Sequence, residues 1–244
     1  MLLYVLFFLC GACLASFSSL CLFRLPDSGS IFLPGSFCDH CRSRLNVYQL
    51  LPLLGWIFRC RKCGKRGRII YPVAELLSAA TAVFLLLALP APLQGFKTAI
   101  FLFFIVLTAL LDIKTGDVFP LLSISGTIAG LLFALIADMP PIQEAVPGAA
   151  SGWLFFFLLR LLTGGGVGAG DADFAALCGA FLGWKMLCCA LTTSFLIGGS
   201  WGMFMLLSGK KRGKSRVPFT PFLTLGAVGS LLSGNWLFKL FNWT

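Results

Sequence analysis

The sequence predicts an all-α, polytopic membrane protein with about eight transmembrane helices and one small loop domain outside the bilayer. Of the 244 residues, 58% are hydrophobic and only 11% are charged, which is too little polar surface to cover a soluble globule of this size. The apolar runs are continuous and do not alternate with polar residues. They therefore predict membrane helices, not the strands of a β-barrel.

The predicted spans are stretches that reach or approach the roughly 20 apolar residues a helix needs to cross the hydrocarbon core. The first, residues 1–23, has no charged segment before it and no clean small-residue cleavage site after it. We therefore expect it to be retained and not removed as a signal peptide. The other predicted spans are 72–89, 96–111, 118–137, 145–162, 172–183, 186–207 and 218–238.

Basic residues predict the orientation of these spans. If the loop 24–71 is cytoplasmic, eight spans place sixteen of the 19 lysines and arginines on the cytoplasmic side and both termini outside, in agreement with the positive-inside rule. The net charge of +10 then follows from topology and from attraction to the anionic lipid bilayer. No nucleic-acid partner is needed to explain it.

The loop 24–71 is the one segment with the composition of a soluble domain, and it is too small to be stabilised by an apolar core alone. It contains two C-x-x-C pairs, Cys38 with Cys41 and Cys60 with Cys63, at a spacing typical of a closed, structural zinc site. Free thiols or a redox pair are the alternative, which a reducing cytoplasm disfavours. We therefore predict a first helix at 1–23, a cytoplasmic zinc-binding domain at 24–71 and a membrane-embedded part of about seven helices at 72–244.

Carboxylates are the remaining candidates for chemistry. His40 is the single histidine and lies inside a cysteine pair, which excludes a Ser-His-Asp centre and an H-E-x-x-H zinc protease. Asp112 follows an apolar run and Asp171 ends Gly-Ala-Gly-Asp; a carboxylate at membrane depth is a functional hypothesis by default. The alternative for Asp171 is a helix cap.

Two glycines favour the functional interpretation of Asp171, because Gly168 and Gly170 leave room for a substrate backbone to approach it. Two carboxylates that lie close together share one proton, so that one activates water while the other protonates the departing group. The residues themselves thus point to peptide hydrolysis without a covalent intermediate.

Several separate stretches carry a family pattern. They are GACLASFSSLCLFRLP at 11–26, the four-cysteine segment 38–63, Tyr71-Pro72 with Glu75, Asp112 in LLDIKTGDVFP, Asp171 in GAGD, and Pro218-Phe219-Thr220-Pro221-Phe222. In this order they resemble the type IV prepilin peptidase (prepilin leader peptidase/N-methyltransferase) family, which are aspartyl membrane proteases of the GxGD type.

The resemblance implies a bacterial inner-membrane protease with Asp112 and Asp171 as catalytic residues. It would cut the short basic leader from type IV prepilins or pseudopilins on the cytoplasmic side. It also implies N-methylation of the new N-terminus with S-adenosylmethionine, for which the sequence identifies no cofactor-binding residues.

Three positions depart from the family pattern: Asp173 stands where a lysine is usual, Thr220 replaces a glycine, and Ser16-Phe17-Ser18-Ser19 lacks an asparagine. An aspartate at 173 is expected to oppose ionisation of Asp171. Two rival functions follow from other features of the chain. One is a transporter or channel that uses the aspartates as ion sites, and the other is a catalytically silent assembly scaffold with a zinc-folded docking domain.

Overall fold

The computed structural model describes residues 1–28, 36–38, 40–208 and 218–240. This part of the chain is helical apart from turns and one isolated bridge between Phe37 and Arg44, which confirms the predicted all-α class. Two short 3-10 helices, Val47–Leu50 and Gly55–Ile57, lie between the cysteine pairs. The α-helices are α1 Leu2–Ser28, α2 Ile70–Ala88, α3 Pro92–Thr115, α4 Pro120–Ala137, α5 Ile142–Leu162, α6 Ala169–Leu207 and α7 Thr220–Leu240.

Six helices in the described part of the chain, α1 to α6, are long and apolar enough to cross a membrane. This confirms a polytopic membrane protein, with a count in the described residues somewhat lower than the predicted eight or so. The predicted spans 172–183 and 186–207 both lie within α6, whose 39 residues include a non-helical Gly183 at φ 77°. A straight helix of that length would measure about 58 Å, nearly twice the hydrocarbon thickness, so the break at Gly183 separates two helical segments. In α7, the apolar stretch with described side chains, Thr220–Leu232, is shorter than a span.

The chain divides into two compact units, Met1–Phe103 and Phe104–Thr244. In the first unit, α1 packs closely against α2, because Gly11 faces the backbone of Ser78 and Ala79, which leaves no room for a side chain. Phe7 contacts Phe96 edge-to-face at 6.3 Å between ring centroids. The predicted domain limits at residues 23 and 71 stay a prediction.

In the second unit, the first half of α6 is the central helix, and nearly all of residues 171–183 are buried. Small residues allow its neighbours to approach closely, as is common between membrane helices. Gly148 and Gly152 of α5 face the backbone of Gly179 and Ala175, and Gly130 of α4 faces Ala180 and Phe181. This packing fixes the N-terminal end of α6, where Asp171 lies.

Helix α7 joins α3 and α6 in the same unit. A side chain at Gly226 would meet Ala190 and Ser194 of α6, so the two helices are in close contact there. On another side of α7, the hydroxyl group of buried Thr224 donates to the carbonyl oxygen of Thr220 at 2.9 Å and also lies 3.3 Å from the carbonyl oxygen of Ile105 in α3. These contacts hold the first half of α7 beside the middle of α3 and the part of α6 that follows Gly183.

Candidate active site and metal centre

Asp112 lies in the last turn of α3 and is 4% exposed. The helix ends just after it: Gly116, at φ 74°, donates its N–H to the carbonyl oxygen of Asp112 at 2.8 Å. This is the usual way for a glycine to terminate a helix. The carboxylate oxygen Oδ2 of Asp112 is buried and has no hydrogen-bond partner, which is unusual and calls for an explanation.

Asp171 lies in the first turn of α6 and is 9% exposed. Its Oδ2 accepts a hydrogen bond from the backbone N–H of Gly168 at 3.2 Å, and its Oδ1 accepts one from the hydroxyl group of Thr220 at 3.2 Å. The bond from Gly168 resembles the return half of a capping box. The cap interpretation of Asp171 therefore accounts for one carboxylate oxygen, while the other faces α7.

Thr220, the first residue of α7, is fully buried between the two aspartates. Its hydroxyl group donates to Asp171, and the carboxyl group of Asp112 lies within interaction range of the same hydroxyl and of the Thr220 backbone amide. The carboxyl groups of Asp112 and Asp171 are close enough to interact electrostatically. The structure thus brings the two predicted aspartates together around one residue.

An aromatic cluster fixes the residue before Thr220. Phe219 contacts Phe195 of α6 at 5.0 Å and Phe156 of α5 at 5.5 Å between ring centroids, and Phe156 is almost completely buried. Because Phe219 is held by two other helices, the start of α7 has little freedom to move away from the aspartates.

The four predicted metal ligands also come together. Ligand atoms of Cys38, Cys41, Cys60 and Cys63 all lie within 4.8 Å of one another. The Sγ atoms of Cys38 and Cys63 are 3.7 Å apart, as are those of Cys41 and Cys60. Zn–S bonds of about 2.3 Å place the sulfurs of a tetrahedral site about 3.8 Å apart. The cluster therefore fits a four-thiolate zinc site, and it could hold zinc.

Two family descriptions match consecutive parts of the chain. Residues 9–89 match the bacterial peptidase A24 N-terminal domain, and residues 99–203 match the type IV leader peptidase family. The first match includes the four cysteines and the second includes both aspartates.

Relatives cover nearly the whole chain. A protein of Bacillus subtilis named prepilin leader peptidase/N-methyltransferase is 32% identical over 235 residues, which cover 93% of each chain. The chain belongs to the type IV leader peptidase family. A protein of the same name from Aeromonas hydrophila is 31% identical, over 84% of this chain and 74% of its own. Another from Klebsiella pneumoniae is 35% identical, over 74% of this chain and 85% of its own. No solved structure matches.

Thr220 is a residue of the candidate active site that the sequence did not predict as one. The sequence shows it only as a replacement for a glycine of the family pattern. The available signal was its place within Pro218–Phe222, a stretch that carries the family pattern. Its contact with Asp171, 49 positions away in the chain, could not be deduced from local sequence.

Asp173 points away from the aspartate pair. The indole N–H of Trp153 in α5 donates a hydrogen bond to its Oδ1 at 3.1 Å. Successive residues of a helix face different directions, so a two-residue offset from Asp171 separates the two side chains. The structure therefore places the departure at Asp173 in a contact between α5 and α6.

The two glycines before Asp171 are adjacent to groups of the chain itself. A side chain at Gly170 would collide with Val118, and the first carbon of one at Gly168 would stand 3.2 Å from Oδ2 of Asp171. Both glycines thus permit close packing around Asp171. The predicted approach of a substrate backbone at these glycines stays a prediction.

Ser43 is a polar residue that lies beside the four cysteines. Its hydroxyl oxygen lies 3.0 Å from Sγ of Cys41 and 3.4 Å from Sγ of Cys60. The hydrogen bond with Ser43, assisted by the backbone amides of Cys63 and Lys62, lowers the pKa of the Cys60 thiol to about 6. A thiolate is the form that binds zinc, so these neighbours favour the metal-binding form of Cys60.

Proposed function

We propose that Asp112 and Asp171 are the catalytic pair of a prepilin peptidase, which cuts the short basic leader from a prepilin or pseudopilin. The observation that carries the proposal is that two buried carboxyl groups from distant segments both face Thr220. Buried acidic residues of membrane helices are rare and usually functional. Their meeting at one point favours a shared chemical role over two separate helix caps.

The proposed reaction is hydrolysis by a carboxyl pair that holds one proton. Close carboxyl groups do not both ionise readily, so one is a carboxylate and the other an acid. The carboxylate takes a proton from water as the water oxygen attacks the carbonyl carbon of the scissile peptide bond. The acid then donates its proton to the leaving nitrogen as the carbon–nitrogen bond breaks.

Hydrogen bonding differs between the two members of the pair. Both oxygens of Asp171 accept hydrogen bonds, from Gly168 and Thr220, whereas Oδ2 of Asp112 is buried without a partner. We assign the roles of base and acid to the pair as one unit, because the two carboxyl groups share a single proton.

We propose that the aspartate pair opens to the cytoplasm. Lys114 follows Asp112 at the end of α3 and Arg160 lies in the last turn of α5, and basic residues at helix ends mark the cytoplasmic side. The cysteine cluster lies in a strongly basic segment, which supports a cytoplasmic position for it on the same rule. A basic leader is cut on that side in our proposal, in the bacterial inner membrane.

Structural zinc and N-methylation complete the proposal. Zinc held by the four cysteines would supply folding energy and no catalytic step, because a closed four-thiolate site has no open position. The relatives are named as both leader peptidases and N-methyltransferases. We therefore include methylation of the new N-terminus by S-adenosylmethionine, and we assign no residue to it.

The test is cleavage by the purified full chain. The protein in detergent or vesicles is mixed with a prepilin, and the products are identified by mass. We expect one cut between the basic leader and the apolar helix, and a further gain of one methyl group when S-adenosylmethionine is present. If the prepilin stays intact although the protein is folded and loaded with zinc, the peptidase function is refuted and the assembly scaffold is favoured. If there is no cleavage but an aspartate-dependent proton flux into vesicles, the transporter function is favoured.

A further inference from the structure

Residues 47–58 lie between the two cysteine pairs and belong neither to the cysteine cluster nor to the aspartate pair. This stretch, the apolar segment, reads VYQLLPLLGWIF and contains no charged residue. It is too short to cross a bilayer, and its length is typical of a re-entrant or interfacial segment. Its ends are brought together by the cysteine cluster, since Sγ of Cys41 and Sγ of Cys60 are 3.7 Å apart.

Large apolar side chains of the apolar segment lie on the surface. An exposed patch of this kind marks an interaction site. Its members are Leu50, Leu51, Leu54, Ile57 and Phe58, with exposed fractions from 44% to 55%.

A hydrogen bond fixes the depth of the apolar segment beside α2. The backbone N–H of Leu53, a residue at φ 65°, donates to Oε2 of Glu75 at 2.6 Å. Glu75 is buried and lies five residues after Ile70, the first residue of α2, which is about 7 to 8 Å along the helix axis.

The length of α2 shows how deep in the membrane Glu75 lies. Its 19 residues measure about 28 Å, no more than the hydrocarbon core of a bilayer at about 30 Å. All of α2 is therefore needed to cross, so its first turns lie at the boundary between headgroups and hydrocarbon. Glu75 therefore holds Leu53 about 7 to 8 Å inside that boundary, which is the depth that the apolar face of an interfacial segment reaches.

The charges around the apolar segment indicate which lipid it meets. Residues 40–69 contain eight basic residues and no acidic residue. Arg61 lies over the ring of Tyr48 at 5.6 Å and Arg66 over the ring of Trp56 at 5.1 Å. Basic side chains beside amphipathic aromatic rings are typical of segments that lie in the interface of anionic membranes. The exposed basic residues are Arg42, Arg44, Arg59, Arg61, Lys62, Lys65, Arg66 and Arg68.

We propose that the apolar segment inserts into the interfacial layer of an anionic bilayer. The stretch from Cys38 to Cys63, here called the cysteine module, is then a membrane-surface anchor and not a freely solvated domain. Leu54, Ile57 and their neighbours contact the upper acyl chains. Arg61 and Arg66, which lie over the rings of Tyr48 and Trp56, contact lipid headgroups. This interaction surface does not depend on the proposed peptidase activity, and a prepilin is added only to distinguish a lipid surface from a substrate site.

The experiment uses the full chain in vesicles of phosphatidylcholine and phosphatidylglycerol, with an environment-sensitive fluorescent amino acid at Ile57. The matched control carries the same probe at Lys65, an exposed residue beside Cys63. Quenching is measured with nitroxide-labelled acyl chains and with aqueous iodide. We expect several-fold stronger lipid quenching at Ile57 than at Lys65 and the reverse order for iodide. Lipid quenching at Ile57 should also fall when phosphatidylcholine replaces phosphatidylglycerol.

Three outcomes would overturn the proposal. Equal iodide quenching at both positions would show that the apolar segment lies in water. Protection of Ile57 from both quenchers would show that protein covers it, and protection that appears only when a prepilin is added would show a substrate site. Retained zinc in both labelled proteins verifies that the cysteine module is folded. As a further test, a Leu54→Glu change in the Ile57-labelled protein should weaken lipid quenching, because it places a charge in the inserted segment.

Discussion

At the scale of residues, Thr220 connects the two aspartates. Its hydroxyl hydrogen bond to Asp171 is made to an ionisable group, and such bonds contribute about 1.5–3 kcal/mol. We expect Thr220→Val to lower kcat by about 10- to 150-fold with little change in KM. Thr220→Ser, which keeps the hydroxyl group, should retain most activity. Equal loss in both variants would mean that Thr220 acts through packing alone, and zinc content and detergent stability serve as controls for folding.

Asp173 gives a second prediction at this scale. Its carboxylate accepts the hydrogen bond from Trp153 and does not face Asp171, so its charge should have little influence on the catalytic pair. We expect Asp173→Asn to leave the pH dependence of cleavage unchanged. A shift of the profile to lower pH would show instead that Asp173 opposes ionisation of Asp171, as its place in the sequence first suggested.

At the scale of elements, the contact between Glu75 of α2 and the backbone of Leu53 fastens the cysteine module to its neighbouring helix. Glu75→Leu removes the acceptor and leaves the N–H of Leu53 without its partner, at a cost of about 1–3 kcal/mol. We expect faster proteolysis of the loop in this variant than in Glu75→Gln, which keeps a side-chain acceptor. Identical proteolysis of the two variants would contradict the fastening role.

The cysteine cluster is the second such element. Cys60→Ala should abolish stoichiometric zinc binding and make residues 36–69 sensitive to protease, because metal binding at such a site is folding energy. Cys188→Ala is the matched control, since Cys188 is an exposed cysteine of α6 outside the cluster. Metal analysis that finds full zinc in the Cys60 variant would refute the assigned ligand set.

At the scale of the whole molecule, hydropathy and spacing predicted much of the structure. The continuous apolar runs predicted the helices, and the two C-x-x-C pairs predicted the cysteine cluster, because both signals are local. The predicted boundary between the spans 172–183 and 186–207 falls at the non-helical Gly183 that interrupts α6, although the described residues contain six span-length helices and not eight. The role of Thr220 was missed for a different reason: it depends on the packing of α3, α6 and α7, and a hydropathy pattern carries no information on which helix ends meet.

The central claim is that Asp112 and Asp171 act as one catalytic unit. The measurement is prepilin cleavage by Asp112→Asn, Asp171→Asn and the double variant, with zinc content and detergent stability recorded alongside. An amide of similar size can neither share the proton nor activate water, so we expect each single change to abolish cleavage and the double change to add little. Two independent helix caps would instead each cost about 1 kcal/mol of stability, and their effects would add. Near-normal cleavage by either single variant would contradict the account.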